Sequence, residues 1–296
     1  MSAATERQRN VLALPWFWLS VFVLAPFLII LAISISSATY GAPPLELFID
    51  WKSGHVVFDV DFDNYALLAS DSLYLRGFLN SISIAFETTV LCLLVGYPMA
   101  YVMARAPERI QPMLVMLVVL PFWTSSLIRV YAWIGILKEN GLLNGFLMHL
   151  GLIHEPLVIL NTPIAVQIGM VYSYLPFLVL PLFATLQKLD WTLLEAAADL
   201  GASAWTAFWK VTVPLSRAGI IAGAMLVFIP CVGEYVIPEL LGGPQTQMIG
   251  RTLWDEFFSN NDWPMACAVA VTMVLLVIVP LAVFSRYQAE TAERAG

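Results

Sequence analysis

The chain has 296 residues, 60% of them hydrophobic and only 12% charged, with a mean hydropathy of +0.81, and a water-soluble domain of this size has no interior large enough to hide so much apolar surface. A formal net charge of −7 excludes an ordinary basic nucleic-acid binder. Cys92, Cys231 and Cys267 all lie in apolar stretches and read as small buried hydrophobes, not as a disulfide framework or metal site, and His149 and His154 share a loop and read as solvated.

Six apolar segments are long enough to suggest membrane helices: Pro15–Ile35, Gly77–Met103, Pro112–Leu137, Pro163–Gln187, Arg217–Leu241 and Trp263–Phe284. The first follows Arg7 and Arg9 but exceeds a signal-peptide core in length, and no small-x-small cleavage site follows it, so it reads as a helix. Between the first two segments, residues 36–75 carry Glu46, Asp50, Asp59, Asp61, Asp63 and Asp71 against Lys52 alone. This reads as a solvated acidic loop or as a surface that attracts cations or a partner.

Lys and Arg set the orientation. With the amino terminus inside, the inner segments hold nine of them (Arg7, Arg9, Arg105, Arg109, Lys188, Lys210, Arg217, Arg286, Arg294) and the outer segments four (Lys52, Arg76, Lys138, Arg251). Both termini are therefore expected in the cytoplasm. The expected organisation is a cytoplasmic tail at 1–14, one transmembrane domain at 15–287 and a second cytoplasmic tail at 288–296, with an outer loop at 36–75 and an inner loop at 188–216.

That inner loop is not a linker. Leu193 to Leu200 are helix formers, Gly201 can take φ > 0, and a second apolar helix follows, so two short helices can meet at an angle. Trp205, Phe208 and Trp209 form an aromatic stripe, and Pro214 interrupts the hydrogen-bond ladder before the next span. An amphipathic helix lying on the membrane is the alternative, and basic residues on its polar face are few.

The residues Glu195-Ala196-Ala197, then Gly201, then Val211-x-Val213-Pro214 resemble the EAA loop of binding-protein-dependent ABC importer permeases, with valine at both aliphatic positions of the usual Ile-x-Leu-Pro ending. The resemblance implies an all-α, six-helix type I importer permease with the MetI-like fold, in a bacterial inner membrane. It also implies that Glu195, Ala196, Ala197 and Gly201 contact an ATPase subunit. The expected partners are a second, homologous permease forming a heterodimer, two ATPase subunits, a periplasmic polyamine-binding protein and membrane lipid, with no nucleic acid. None of the four lysines follows a glycine-rich phosphate loop, so no cofactor is expected on this chain, and ATP with magnesium belongs to the ATPase partners. The chain is not expected to be an enzyme: it has no Ser/His/Asp set, no HExxH and no paired membrane histidines. A proton-coupled secondary transporter remains a remote alternative, and it would not need the EAA spacing.

The segments Pro121–Tyr131, Gly233–Pro244, Trp254–Phe258 and Asp262–Pro264 resemble those of polyamine importer permeases, and the Gly-Glu-Tyr sequence points to the putrescine type, with spermidine or another cationic solute as the alternative. A polyamine crossing a bilayer needs carboxylates, carbonyls and aromatic faces in place of water. The candidates are Glu234, Tyr235, Trp123, Tyr131, Tyr174 and Phe228. Glu234 lies between Pro230 and Pro238, where a broken helix is expected. Counting from the inner ends of their spans, Arg129 and Glu234 reach similar depth, so a structural ion pair is one reading and an amine contact by Glu234 another. Glu87 is open between a helix–helix hydrogen bond and a substrate contact.

Overall fold

Proline and glycine placement governs how this chain breaks its helices. The computed structural model describes residues 15–39, 41, 43–46, 49–52, 55–58 and 60–293. Residues 1–14 with Arg7 and Arg9, Asp59, and Arg294 lie outside the described residues, as do the side chains of Asp50, Lys52 and Arg286. The chain divides into two units, one of residues 1–75 and 252–276 and one of residues 76–251 and 277–296.

In the first unit, α1 (Pro15–Ser34) is apolar and exposed around most of its circumference, as a lipid-facing helix is. It widens into a π turn at Ser20–Leu24, just before Pro26. The proline lacks an N–H and crowds the preceding turn, which the wider turn relieves. The following segment is more ordered than a plain loop. It forms two antiparallel hairpins, β1 (Ser37–Ala38) with β2 (Leu45–Glu46) and β3 (Ile49–Lys52) with β4 (His55–Phe58), and then α2 (Asp63–Ser70). Asp61 ties this segment down, accepting from Ser37 Oγ at 3.0 Å and from the Asp63 N–H at 2.7 Å. Asn64 donates to the carbonyls of Ser34 and Ser36 at the end of α1. In the same unit, the buried Glu256 accepts from Tyr74 at 2.7 Å and from Asn260 at 2.8 Å.

The second unit is helical. α3 (Ser72–Arg105) enters it from the first; then come α4 (Gln111–Trp123, tightening to a 3-10 turn at Leu120–Trp123), α5 (Ser126–Leu137), α6 (Leu142–His149), α7 (Pro163–Leu186), α8 (Thr192–Asp199), α9 (Ala204–Val232), α10 (Val236–Leu241) and α11 (Ile249–Trp254). The last helix, α12 (Trp263–Glu293), starts in the first unit. Among the described residues, four helices (α1, α3, α7, α9) are long and apolar enough to cross a membrane unbroken. The expected third span is instead a pair bent by 89°, α4 against α5–α6, and the apolar part of α12 among the described residues is Trp263–Ile278.

The core of the second unit is α7 against α9. Lipid gives helices no hydrophobic reason to associate, so close packing must do it, and small residues permit the approach. Gly219 and Gly223 of α9 meet α7 directly: a Cβ on Gly223 would lie 2.9 Å from the Leu178 carbonyl oxygen, and one on Gly219 2.8 Å from Thr185 Cβ. Leu178, Leu182 and Leu186 are fully buried along this contact. A Cβ on Gly96 of α3 would strike Leu178, so α3 closes on the same helix.

Candidate functional site

The loop at 188–216 is built from its caps. Asp190 Oδ1 accepts from Thr192 Oγ1 at 2.8 Å and from the Thr192 N–H at 3.0 Å, starting α8. The hydrogen bond from the Thr192 hydroxyl, then that from its N–H, hold the Asp190 carboxyl below the usual carboxylate range. α8 ends at Gly201, whose φ is +85°. There the Gly201 N–H reaches the Ala198 carbonyl at 2.8 Å and the Ala202 N–H reaches the Ala197 carbonyl at 3.0 Å. This is a Schellman ending, which satisfies the orphan carbonyls and turns the chain. Ser203 then caps α9, its Oγ accepting from the Thr206 N–H at 3.2 Å.

Glu195, Ala196 and Gly201 are exposed and Ala197 half-exposed. Around them Leu200 is 88% and Trp205 71% exposed. Phe208, by contrast, turns inward: its ring meets those of Tyr97 at 5.4 Å and Tyr101 at 5.9 Å. Trp191 packs edge-on to Tyr101 at 5.7 Å, and the Arg105 guanidinium lies over both the Tyr101 and Trp191 rings. The loop is thus clamped at both ends to the last turns of α3. Sequence reasoning missed Tyr97, Tyr101, Arg105 and Trp191, although the spacing of the first three, four residues apart, places them on one helix face.

The second region lies where two spans break. α4 ends at Trp123, its last turn 3-10 and containing Pro121, and Thr124 is extended. Arg129 caps this break: Nη1 donates to the Pro121 and Thr124 carbonyl oxygens, and the guanidinium sits 5.2 Å from the Phe122 ring centre. A cation at the carbonyl end of a helix is favourably placed. α9 ends at Val232, and Glu234 caps the next helix, α10. Its Oε1 accepts from the N–H groups of Tyr235 (3.2 Å), Val236 (3.0 Å) and Ile237 (3.4 Å), and Oε2 accepts from the Tyr174 hydroxyl. A carboxyl at a helix N-terminus satisfies orphan donors and complements the dipole.

Arg129 and Glu234 therefore do not form the ion pair that equal depth suggests. Depth fixes neither rotation nor partner, and each side chain is occupied by the helix end nearest to it. Between them stands a file of aromatic rings: Tyr174 beside Phe177 at 6.0 Å, and Phe177 edge-on to Phe122 at 5.3 Å. Of the candidate path residues, the structure joins Tyr174 and Glu234, and Tyr235 donates its N–H to that same carboxyl. Trp123 and Tyr131 are 73% and 60% exposed on the bent arm, and Phe228 is half-buried on α9. Glu239 pairs with Arg251 at 2.9 Å. Glu87 Oε2 accepts from Gln167 Nε2 of α7 at 3.0 Å, a bond across helices, and Oε1 accepts from Ser83 of its own helix at 3.0 Å.

Residues 92–285 match the family described as the inner membrane component of binding-protein-dependent transport systems. The chain is 40% identical to the spermidine/putrescine transport system permease protein PotB of Haemophilus influenzae, over 94% of this chain and 93% of that protein. It is 39% identical to PotB of Escherichia coli K12, over 91% of this chain and 93% of that one. A chain in the crystal structure of a bacterial alginate ABC transporter, in complex with an alginate pentasaccharide-bound periplasmic protein, shares the fold with a TM-score of 0.66 at 16% identity, covering 95% of this chain and 93% of that chain. The relatives' names join spermidine and putrescine, which is coarser than the expected putrescine type and does not single it out.

Proposed function

Because this chain belongs to the family of binding-protein-dependent inner membrane transport components, we propose that it is the permease subunit of an importer for spermidine and putrescine. The observation that carries the reading is the 40% identity to a spermidine/putrescine permease over 94% of the chain. The exposed, firmly capped loop around Glu195–Gly201 supports the mechanical half of it. In this reading Glu195, Ala196, Ala197 and Gly201 dock into an ATPase subunit, and the exposed Leu200 and Trp205 add apolar contact area. ATP and magnesium act on that partner, and this chain transmits the stroke through the aromatic clamp to α3.

A second, homologous permease completes the path, a periplasmic binding protein delivers polyamine to the outer face, and both termini lie in the cytoplasm of a bacterial cell. Trp123, Tyr131, Phe228 and Tyr235 offer aromatic faces to the ammonium groups, at about 0.5–2 kcal/mol per contact. Glu234 and Tyr174 fix the start of α10 in the wall of the path.

Proteoliposomes containing the four-subunit transporter and loaded binding protein test this. ATP-dependent accumulation of both spermidine and putrescine is the expected result. Accumulation of neither, or uptake that survives ATP removal and stops when a proton gradient is dissipated, refutes it.

A further inference from the structure

Glu87 is an exposed carboxylate side chain in the membrane-spanning helix α3. At about 1.5 Å per residue it lies roughly 16 Å from Arg76 at one end and roughly 27 Å from Arg105 at the other, inside a bilayer about 40–45 Å thick with its headgroups. An exposed carboxylate at that depth is not left to face acyl chains, where ionisable side chains are among the costliest groups to place.

Two features distinguish its surroundings from a plain structural contact. First, Arg76, Asn80, Ser83 and Glu87 recur at helical spacing, so they form one polar stripe that enters from the Arg76 end and stops at Glu87. Val90, Leu91 and Leu94 continue the exposed surface with no polar group. Arg76 and Ser83 are exposed, and Asn80 is half-exposed. Second, Glu87 is held but not neutralised. Gln167 uses its amide oxygen to accept from the buried Thr88 at 2.9 Å, which turns its NH2 toward Glu87. Each Glu87 oxygen thus receives one neutral donor and keeps a free lone pair. No Lys, Arg or His lies within ion-pair distance of it among the described residues.

We infer that this stripe walls the outer half of the translocation path, and that Glu87 at its inner end takes up an ammonium group of the passing linear polycation. Gln167 is a positioning residue, fixing the carboxylate with its open lone pairs outward. The inference rests on the polyamine-import reading. An organic cation suits the site on charge, and the neighbouring aliphatic face of Val90, Leu91 and Leu94 suits the methylene chain between ammonium groups.

The experiment compares wild type, Glu87→Gln and Glu87→Asp in the reconstituted four-subunit transporter, reading kcat/KM for spermidine and putrescine uptake, with co-purification of the subunits as the assembly control. At least a tenfold loss in Glu87→Gln and substantial recovery in Glu87→Asp are expected. In a separate Ser83→Cys variant, a water-soluble cationic thiol reagent added from the periplasmic side should modify the cysteine, more slowly when polyamine is being transported. This readout decides the matter if Glu87→Gln does not assemble. Uptake by Glu87→Gln within about twofold of wild type, or an unreactive Ser83→Cys, overturns the inference. A wild-type transporter that accumulates neither polyamine overturns the polyamine reading instead.

Discussion

Gly201 offers the most direct test of the docking loop. Its φ of +85° is a left-handed conformation, and a Cβ added there meets nothing within 4 Å. Steric clash with neighbours therefore contributes nothing, and a substitution is opposed only by its own backbone. For an L-residue that opposition is about 1–2 kcal/mol, which corresponds to roughly a 5- to 30-fold shift in the population of the capped loop. The two closing bonds, to the carbonyls of Ala197 and Ala198, depend on that conformation, and Ala197 is one of the proposed docking residues. Gly201→Asn should be close to wild type, because asparagine tolerates the left-handed region; Gly201→Ala should weaken ATPase binding by a factor within that range; and Gly201→Val should be worse, because a β-branched residue is poorest there. Titrating ATPase subunits against the reconstituted permease pair reads the affinity, and binding-protein-stimulated ATP turnover reads the coupling. If valine binds as tightly as glycine, the loop's conformation does not govern docking and the reasoning fails.

Two further predictions concern the second unit. Tyr174→Phe leaves the three N–H bonds to Glu234 Oε1 intact but strips Oε2 of its donor, and should cost about 1–3 kcal/mol in thermal unfolding of the purified complex. Glu234→Leu should cost more, since it orphans the N-terminus of α10 as well, while Glu234→Gln keeps an acceptor for those N–H groups and should retain most uptake; near-complete loss of uptake in Glu234→Gln would show a charge requirement beyond capping. Gly223→Val drives a side chain into the Leu178 backbone, which cannot swing aside, and should destabilise the α7–α9 contact by about 1–3 kcal/mol, measurable as a lowered unfolding temperature.

The two helices that meet at Gly201 were readable because their determinants are local. Gly201 acts through a turn a few residues wide, so spacing alone carries that geometry, whereas Pro214, expected to interrupt the ladder before the next span, lies within α9, which runs on from Ala204 through a π turn at Phe208–Thr212. The break near Glu234 was also signalled, by Pro230, Gly233 and Pro238, whereas Pro112–Leu137 read as one span, although Pro121 stands beside the bend after Trp123. What spacing could not supply was the partner of each charge. Counting along straight spans puts Arg129 and Glu234 at matching depth, yet the 89° bend just before Arg129 and the pull of the nearest helix end decide their contacts. The two hairpins between Ser37 and Phe58 escaped notice because a polar, acidic composition masks short strand pairing. Gly219 and Gly223 were not singled out from the sequence, although a glycine pair four residues apart is a pattern that brings membrane helices close.

The capping of Arg129 and Glu234 by their own backbones bears on how the bundle moves. A salt bridge between them would act as an electrostatic latch, and separating it inside a bilayer would strand two bare charges in a medium that solvates neither. Here each charge carries its compensation with it: the guanidinium travels with the carbonyls of Pro121 and Thr124, and the carboxyl with the first turn of α10. The bent arm and the short helix can shift past one another without uncovering either one. What would have to yield is the ring file through Tyr174, Phe177 and Phe122, a greasy bearing more tolerant of sliding than an ion pair.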